Sequence, residues 1–189
     1  MTNSKKLSIP EIKKALKSYD KESLITLLVD GYKQSQEMKN YIHVLLNPEE
    51  TIEELYQKSK NQILHEFFPE RGDAKMRLSV AKKAITEFKK WCKDEIRTID
   101  LMIYYVEVGV DFANEYGDMY EQFYNSMISM YGNVVDKINN NLELCDRFYQ
   151  RLKSIVMNTS GMGWGFHEEL YSLFGQLSIQ VEKGRREGH

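Results

Sequence analysis

The chain has 189 residues, a formal net charge of −2, 42% hydrophobic and 29% charged residues. A chain of that length can bury a core without a metal or disulfide staple. Its charge excludes a bulk polycation built for nucleic acid, and only three prolines leave room for long helices.

The first fourteen residues, MTNSKKLSIPEIKK, carry no apolar signal-peptide core. Ser8-Ile9-Pro10-Glu11 reads as a capping box with Pro in the first turn, and predicts a short helix to about Ser18. Asp20 caps a second helix, with Leu24, Ile25, Leu27, Leu28 and Tyr32 on a broad face. Ser35 caps a third, to Leu46, with Met38, Tyr41, Ile42 and Leu45 at helical spacing. Asn47-Pro48-Glu49-Glu50 starts a fourth, running to about Phe67. The break at 68–73, Phe-Pro-Glu-Arg-Gly-Asp, is the clearest in the chain. It divides an expected N-terminal subunit, 1–68, from a main helical core, 69–183, within one compact domain.

A basic fifth helix is expected from Ala74 to Trp91. The sixth, from Asp94 to Gly117, holds the most apolar run of the chain, Thr98 to Tyr116. At about 100° per residue, Asp100, Glu107, Asp111 and Asn114 fall within a sector roughly 60° wide, with Tyr104 at its edge. Apolar side chains fill most of the rest, the pattern of a central helix. Gly117 suits a left-handed cap. Asp118 is expected to cap a seventh helix whose Tyr- and Met-rich stretch, 119–131, is either core or interface chemistry. Asn139-Asn140-Asn141 precedes an eighth helix, Leu142 to Met157. The glycine-rich loop 159–165 leads into a ninth, with Phe166, Leu170, Leu173, Phe174 and Leu177 inward; Trp164 and Phe166 are expected to plug the loop onto the core. A disordered tail is expected over 184–189. There is no strand alternation, hairpin signal or repeat of fixed period.

Four features invite a chemical reading. Lys75, Lys82, Lys89 and Lys93 share one face of the fifth helix within roughly 40°, a row of cations for phosphates or simply a solvated face. Arg77 falls on the apolar side of the same wheel. It is expected to pair with Glu107 and Asp111, because an unpaired buried charge is very costly. Carboxylates one turn apart can share a cation, but bundle metal sites use Glu-x-x-His pairs from several helices; His43, His65 and His167 lie in none, so no metal and no cofactor is expected. His167 is a general base, a hydrogen-bonded structural histidine or exposed. Cys92 and Cys145 fit no metal or redox spacing and read as reduced thiols.

Lys6-Leu7-Ser8, the run Arg77 to Ile85, Tyr105-Val106-Glu107 through Gly117-Asp118, Phe123 to Met127, and Gly163-Trp164-Gly165-Phe166-His167 carry a resemblance covering about residues 5–175. They resemble a family of small uncharacterised bacterial proteins catalogued as a domain of unknown function. The resemblance implies a bacterial or phage-associated cytosolic protein and no activity. Its residues overlap the polar set Arg77, Glu107, Asp111, Asp118, Trp164 and His167.

The expectation is an all-α protein of about nine helices, an irregular bundle or short helical-hairpin stack around helix 98–116. No acid–base pair or nucleophile signature points to an enzyme. The leading function is a non-catalytic interaction module, cytoplasmic, with a protein partner or itself as a homodimer, and no membrane span. The alternatives are a small-ligand binder or unassigned enzyme at an Arg77/Glu107/Asp111 pocket joined by Trp164 and His167, and, less favoured, nucleic-acid binding through the basic helix.

Overall fold

The computed structural model describes residues 6–187, with side chains for 6–177. The described residues form nine helices and no strand. They are α1 (Ile9–Leu16), α2 (Lys21–Gln34), α3 (Gln36–Leu46), α4 (Pro48–Phe67), α5 (Leu78–Cys92), α6 (Glu95–Tyr116), α7 (Glu121–Ile138), α8 (Leu142–Asn158) and α9 (Phe166–Glu187). The fold is all-α, as the helical spacing indicates.

Local chemistry sets most of the boundaries. Glu11 accepts from the Ser8 N–H at 2.8 Å and opens α1. The Asp20, Ser35 and Asn141 side chains accept from the N–H groups of Ser23, Met38 and Leu144. The Asp94 carboxylate accepts from the Arg97 N–H at 2.8 Å. Each bond satisfies an N–H that the helix cannot. Gly117, at φ 90°, ends α6 in the region glycine favours.

Three boundaries differ from expectation. The fifth helix starts at Leu78, not Ala74: Met76 turns to φ 49°, and its N–H donates to the Glu66 carbonyl at 2.8 Å. Asp118 does not cap α7, whose N-cap is Tyr120. The last helix runs to Glu187, past the expected start of a tail at 184; the rest of that tail, 188–189, lies outside the described residues.

The chain divides into two compact units, Met1–Thr51 and Ile52–His189. The division falls inside α4 rather than at 68–73, where Met76 and Arg77 fold back onto Glu66. In the first unit α2 packs on α3, and none of α1, α2 and α3 has a buried residue.

The second unit is a stack of three helical hairpins, α4–α5, α6–α7 and α8–α9. Their first helices start at Pro48, Glu95 and Leu142, at equal intervals of 47 residues. The periodicity is one of helix placement that the side-chain pattern does not repeat. First helices pack side by side (α6 on α8), as do second helices (α7 on α9). The core gathers on α6, twelve of whose residues are buried. Phe67 meets Tyr105, Phe112 and Phe123 edge-on, at centroid distances of 5.9, 5.9 and 6.3 Å. Gly109 lets α7 approach, since a Cβ there would lie 2.5 Å from the Met127 sulfur. Phe123, Tyr124, Met127, Met130 and Tyr131 are buried, so most of the aromatic and sulfur-rich stretch 119–131 is core.

Candidate functional site: a polar seam along the first helices

The carboxylate stripe of α6 faces its two first-helix neighbours. Glu53 and Tyr56 of α4 meet Arg97 and Asp100, and Glu107 and Asn114 meet Arg151 and Asn158 of α8. Every one of these pairs is 44 residues apart, so α4, α6 and α8 run in the same direction in one register.

Arg151 lies at the centre. Its Nε and Nη2 donate to Glu107 Oε1 at 2.8 Å and Oε2 at 2.6 Å, a bidentate fork. Its Nη1 donates to Asp100 Oδ1, while the Tyr56 hydroxyl donates to Asp100 Oδ2. Burial alone would lower the guanidinium's affinity for its proton; the Glu107 and Asp100 contacts outweigh that and raise it. Burial, then the bond to Asp100, lifts the Tyr56 phenol well above its ordinary range. Towards the α6 N-terminus, Arg97 bridges Asp94 at 2.8 Å and Glu53 at 3.0 Å. Burial works against the Asp94 carboxylate, but its bonds from Arg97 prevail and hold it below the usual value. The Lys60 ammonium sits 4.4 Å from the centre of the Tyr104 ring. Asn114 donates to the Asn158 carbonyl at 3.0 Å.

Two cavities border the carboxylates that Arg151 bonds, Asp100 in one and Glu107 in the other. One, of about 390 Å³, is lined by Glu53, Tyr56, Asp94, Arg97, Asp100 and Arg147 among others. The other, of about 260 Å³, takes in Tyr104, Glu107, Asp111, Arg151, Ser154 and Asn158. Asp111 forms no ion pair among the described residues; burial, and then Glu107, raises its carboxyl above the ordinary value. Both oxygens of Asp100 and of Glu107 are engaged, and no nucleophile stands hydrogen-bonded to a base here. The arrangement therefore crosslinks helices. Among the described residues no group of three His, Cys, Asp or Glu side chains is placed to hold a metal ion.

The expected site does not assemble. Arg77 pairs with Glu66, its Nε and Nη2 donating at 3.0 and 2.7 Å, not with Glu107 or Asp111. The reason is the late start of α5: Arg77 is its N-cap and does not obey the helical wheel that aimed it at the stripe. Glu66, 2% exposed, is held below its usual value by the Arg77 bonds. Trp164 is 74% exposed at φ 62° and does not plug the loop; Phe166, fully buried, does. His167 Nδ1 lies 3.0 Å from the Thr159 hydroxyl. Of the predicted basic row, Lys82 and Lys89 lie on α5; Lys75 precedes it, and Lys93 is its left-handed C-cap at φ 50°. Both cysteines are buried free thiols, and burial pushes Cys92 up to about 11.

Arg151 was missed, although its own wheel flagged it. It falls about 20° beyond Leu144, at the edge of the buried face of α8. A guanidinium there needs a carboxylate for the same reason given for Arg77.

In comparison with known proteins, the model of a family of unknown function, DUF6155, matches residues 7–178. No curated protein and no solved structure matches. No helix among the described residues is long and apolar enough to cross a membrane.

Proposed function

On the footing that the chain belongs to DUF6155, a family of unknown function, we propose that it is a non-catalytic interaction module whose partner is a protein. The carrying observation is the surface of the first unit. Of the nineteen large apolar side chains exposed among the described residues, eleven precede Thr51. Natural surfaces rarely gather such side chains without a use. Three of them, Leu28, Val29 and Leu46, join Tyr32, Ile42, His43 and Asn47 in lining a groove of about 500 Å³ between α2 and α3. A largely apolar groove between two helices suits an amphipathic partner helix that inserts side chains at i, i+3, i+4 and i+7. The hairpin stack of the second unit is the architecture that other proteins use to present extended binding surfaces. Two buried free thiols fit the reducing interior of a bacterial cell, where the resemblance would place the protein.

The test compares the full chain with Leu28→Asp and Leu46→Asp, both exposed positions that fold should tolerate. Each variant should keep the wild-type circular dichroism and lose a partner captured from native lysate by the unaltered chain. A peptide helix from that partner should then bind wild type and neither variant. Capture that survives both substitutions overturns the reading. Loss of a concentration-dependent dimer on light scattering would make the partner a second copy.

A further inference from the structure

The second helices leave a cleft between α5 and α7, with α6 as its floor. It encloses about 580 Å³, within the range of small-molecule sites. Its walls bring together Lys82 and Lys89 of α5 and Lys137 of α7. None of the three has an ion-pair partner among the described residues, in a chain whose net charge is −2. Asp136 is the single carboxylate lining the cleft and is likewise unpaired. Three cations against one anion leave a formal +2 at one place. Asn133 adds an amide donor. The Thr86 and Thr98 hydroxyls already donate to the Lys82 and Asp94 carbonyls. Below the lysines, Ile85, Met102 and Met130 form an apolar floor, each less than a tenth exposed.

We propose that this cleft binds a small phosphate monoester with an apolar body. A phosphate monoester carries about −1.5 to −2 at neutral pH, which matches the unpaired charge. The head group alone would leave most of the volume empty. The methionines offer that remainder a polarizable surface suited to an aromatic or aliphatic group. The placement of the lysines argues against a nucleic-acid track. Lys75 and Lys93, which would extend a row along α5, lie off the helix. The remaining lysines instead converge from two helices on a cleft.

Isothermal titration at low ionic strength, with phenyl phosphate as probe and inorganic phosphate and phenol as its two halves, tests this. Phenyl phosphate should bind saturably and roughly tenfold tighter than inorganic phosphate, with phenol silent. Lys89→Gln and Lys137→Gln should each weaken it by about tenfold, and Lys89→Arg should retain binding. All three lysine variants alter exposed side chains, so unchanged thermal unfolding should accompany them. Leu28→Asp, in the other unit, should leave the affinity alone. Equal affinity for inorganic phosphate and phenyl phosphate would reduce the cleft to an adventitious ion site and overturn the proposal. So would absence of saturation at millimolar probe, or indifference to the lysine substitutions. A single-stranded oligonucleotide that binds wild type, fails on the same variants and displaces the probe would assign the cleft to nucleic acid instead.

Discussion

The two sides of the hairpin stack are built alike and closed differently. Along the first helices, α4, α6 and α8, carboxylates alternate with guanidinium groups. Arg97 and Arg151 each answer two acids, so the seam is tied at several points. Along the second helices, α7 packs on α9 with Gly132 beside Leu173, and Tyr149 of α8 meets Phe174 of α9 with ring centres 5.1 Å apart. Between α5 and α7 lies a cleft lined by three lysines with no ion-pair partner among the described residues. Opposite charges within hydrogen-bond reach pin helices together; like charges in the same position keep a space available for something else. A paired seam thus reads as structure, and an unpaired cluster in a cleft reads as a candidate site.

The largest effect should come from breaking the paired seam on one side. Glu107→Ala removes the bidentate acceptor and leaves Arg151, only a third exposed, with Asp100 alone. A loss of about 3 kcal/mol in urea unfolding is expected, because a charge stranded away from water costs more than the pair contributes. Arg151→Met should cost no less, since it leaves two carboxylates, 21% and 28% exposed against 33% for the guanidinium, without their cation. A clearly smaller loss would show that the cation, not the acids, is the stranded charge.

Next comes the Arg77–Glu66 pair, outside both seams but of the same kind. Glu66 is almost fully covered, whereas half of Arg77 is exposed. Arg77→Met should lower the melting temperature at neutral pH, by less than the seam variants, by leaving the buried carboxylate with one backbone bond from Arg77 N–H. The pH dependence fixes the cause. Because Arg77 lowers the Glu66 carboxyl below its ordinary 4.5, the native protein binds fewer protons than the unfolded chain. The contribution is fully present above about pH 4.5 and is lost as pH falls through the lower folded value. The melting-temperature gap between wild type and variant should therefore close in acid. A gap that stays constant would assign the loss to the methionine's packing.

These two pairs also mark how much was legible in the sequence. Helix starts at Asp20, Ser35, Asp94 and Asn141 follow from side chains that cap within three residues, so they could be read locally. The burial of α6 and the need of its stripe for a cation follow from periodicity alone. Which cation answers depends on where a neighbouring helix begins and which way it runs. Moving the α5 start from Ala74 to Leu78 took Arg77 off the wheel and onto Glu66. Arg151 became visible as the partner only once α6 and α8 were seen to run parallel in a register of 44 residues. The groove of the first unit was hidden for a different reason. The helical spacing of Leu24, Leu28 and Tyr32 describes an apolar face and cannot say whether the chain itself covers it.

The smallest effect tests where the paired seam runs out of cations. Asp111 follows Glu107 by one turn on α6, and Arg151, already forked onto Glu107, makes no bond to it. Burial and then the Glu107 charge raise its carboxyl above 3.8, so the native protein binds more protons here than the unfolded chain. The sign is opposite to that of Glu66. Protonated Asp111 is tolerated fully below about pH 3.8, and stability is lost as pH rises through the folded value. Asp111→Asn should match wild type in acid and melt slightly higher at neutral pH, by a small margin because the side chain remains open to water. If the variant melts lower at neutral pH, Asp111 must attract a cation such as Lys60, and the seam is paired along its whole length. If it melts higher, the first helices end in surplus negative charge just as the cleft between α5 and α7 holds surplus positive charge. Pairing then distinguishes positions within a seam, not one side of the stack from the other.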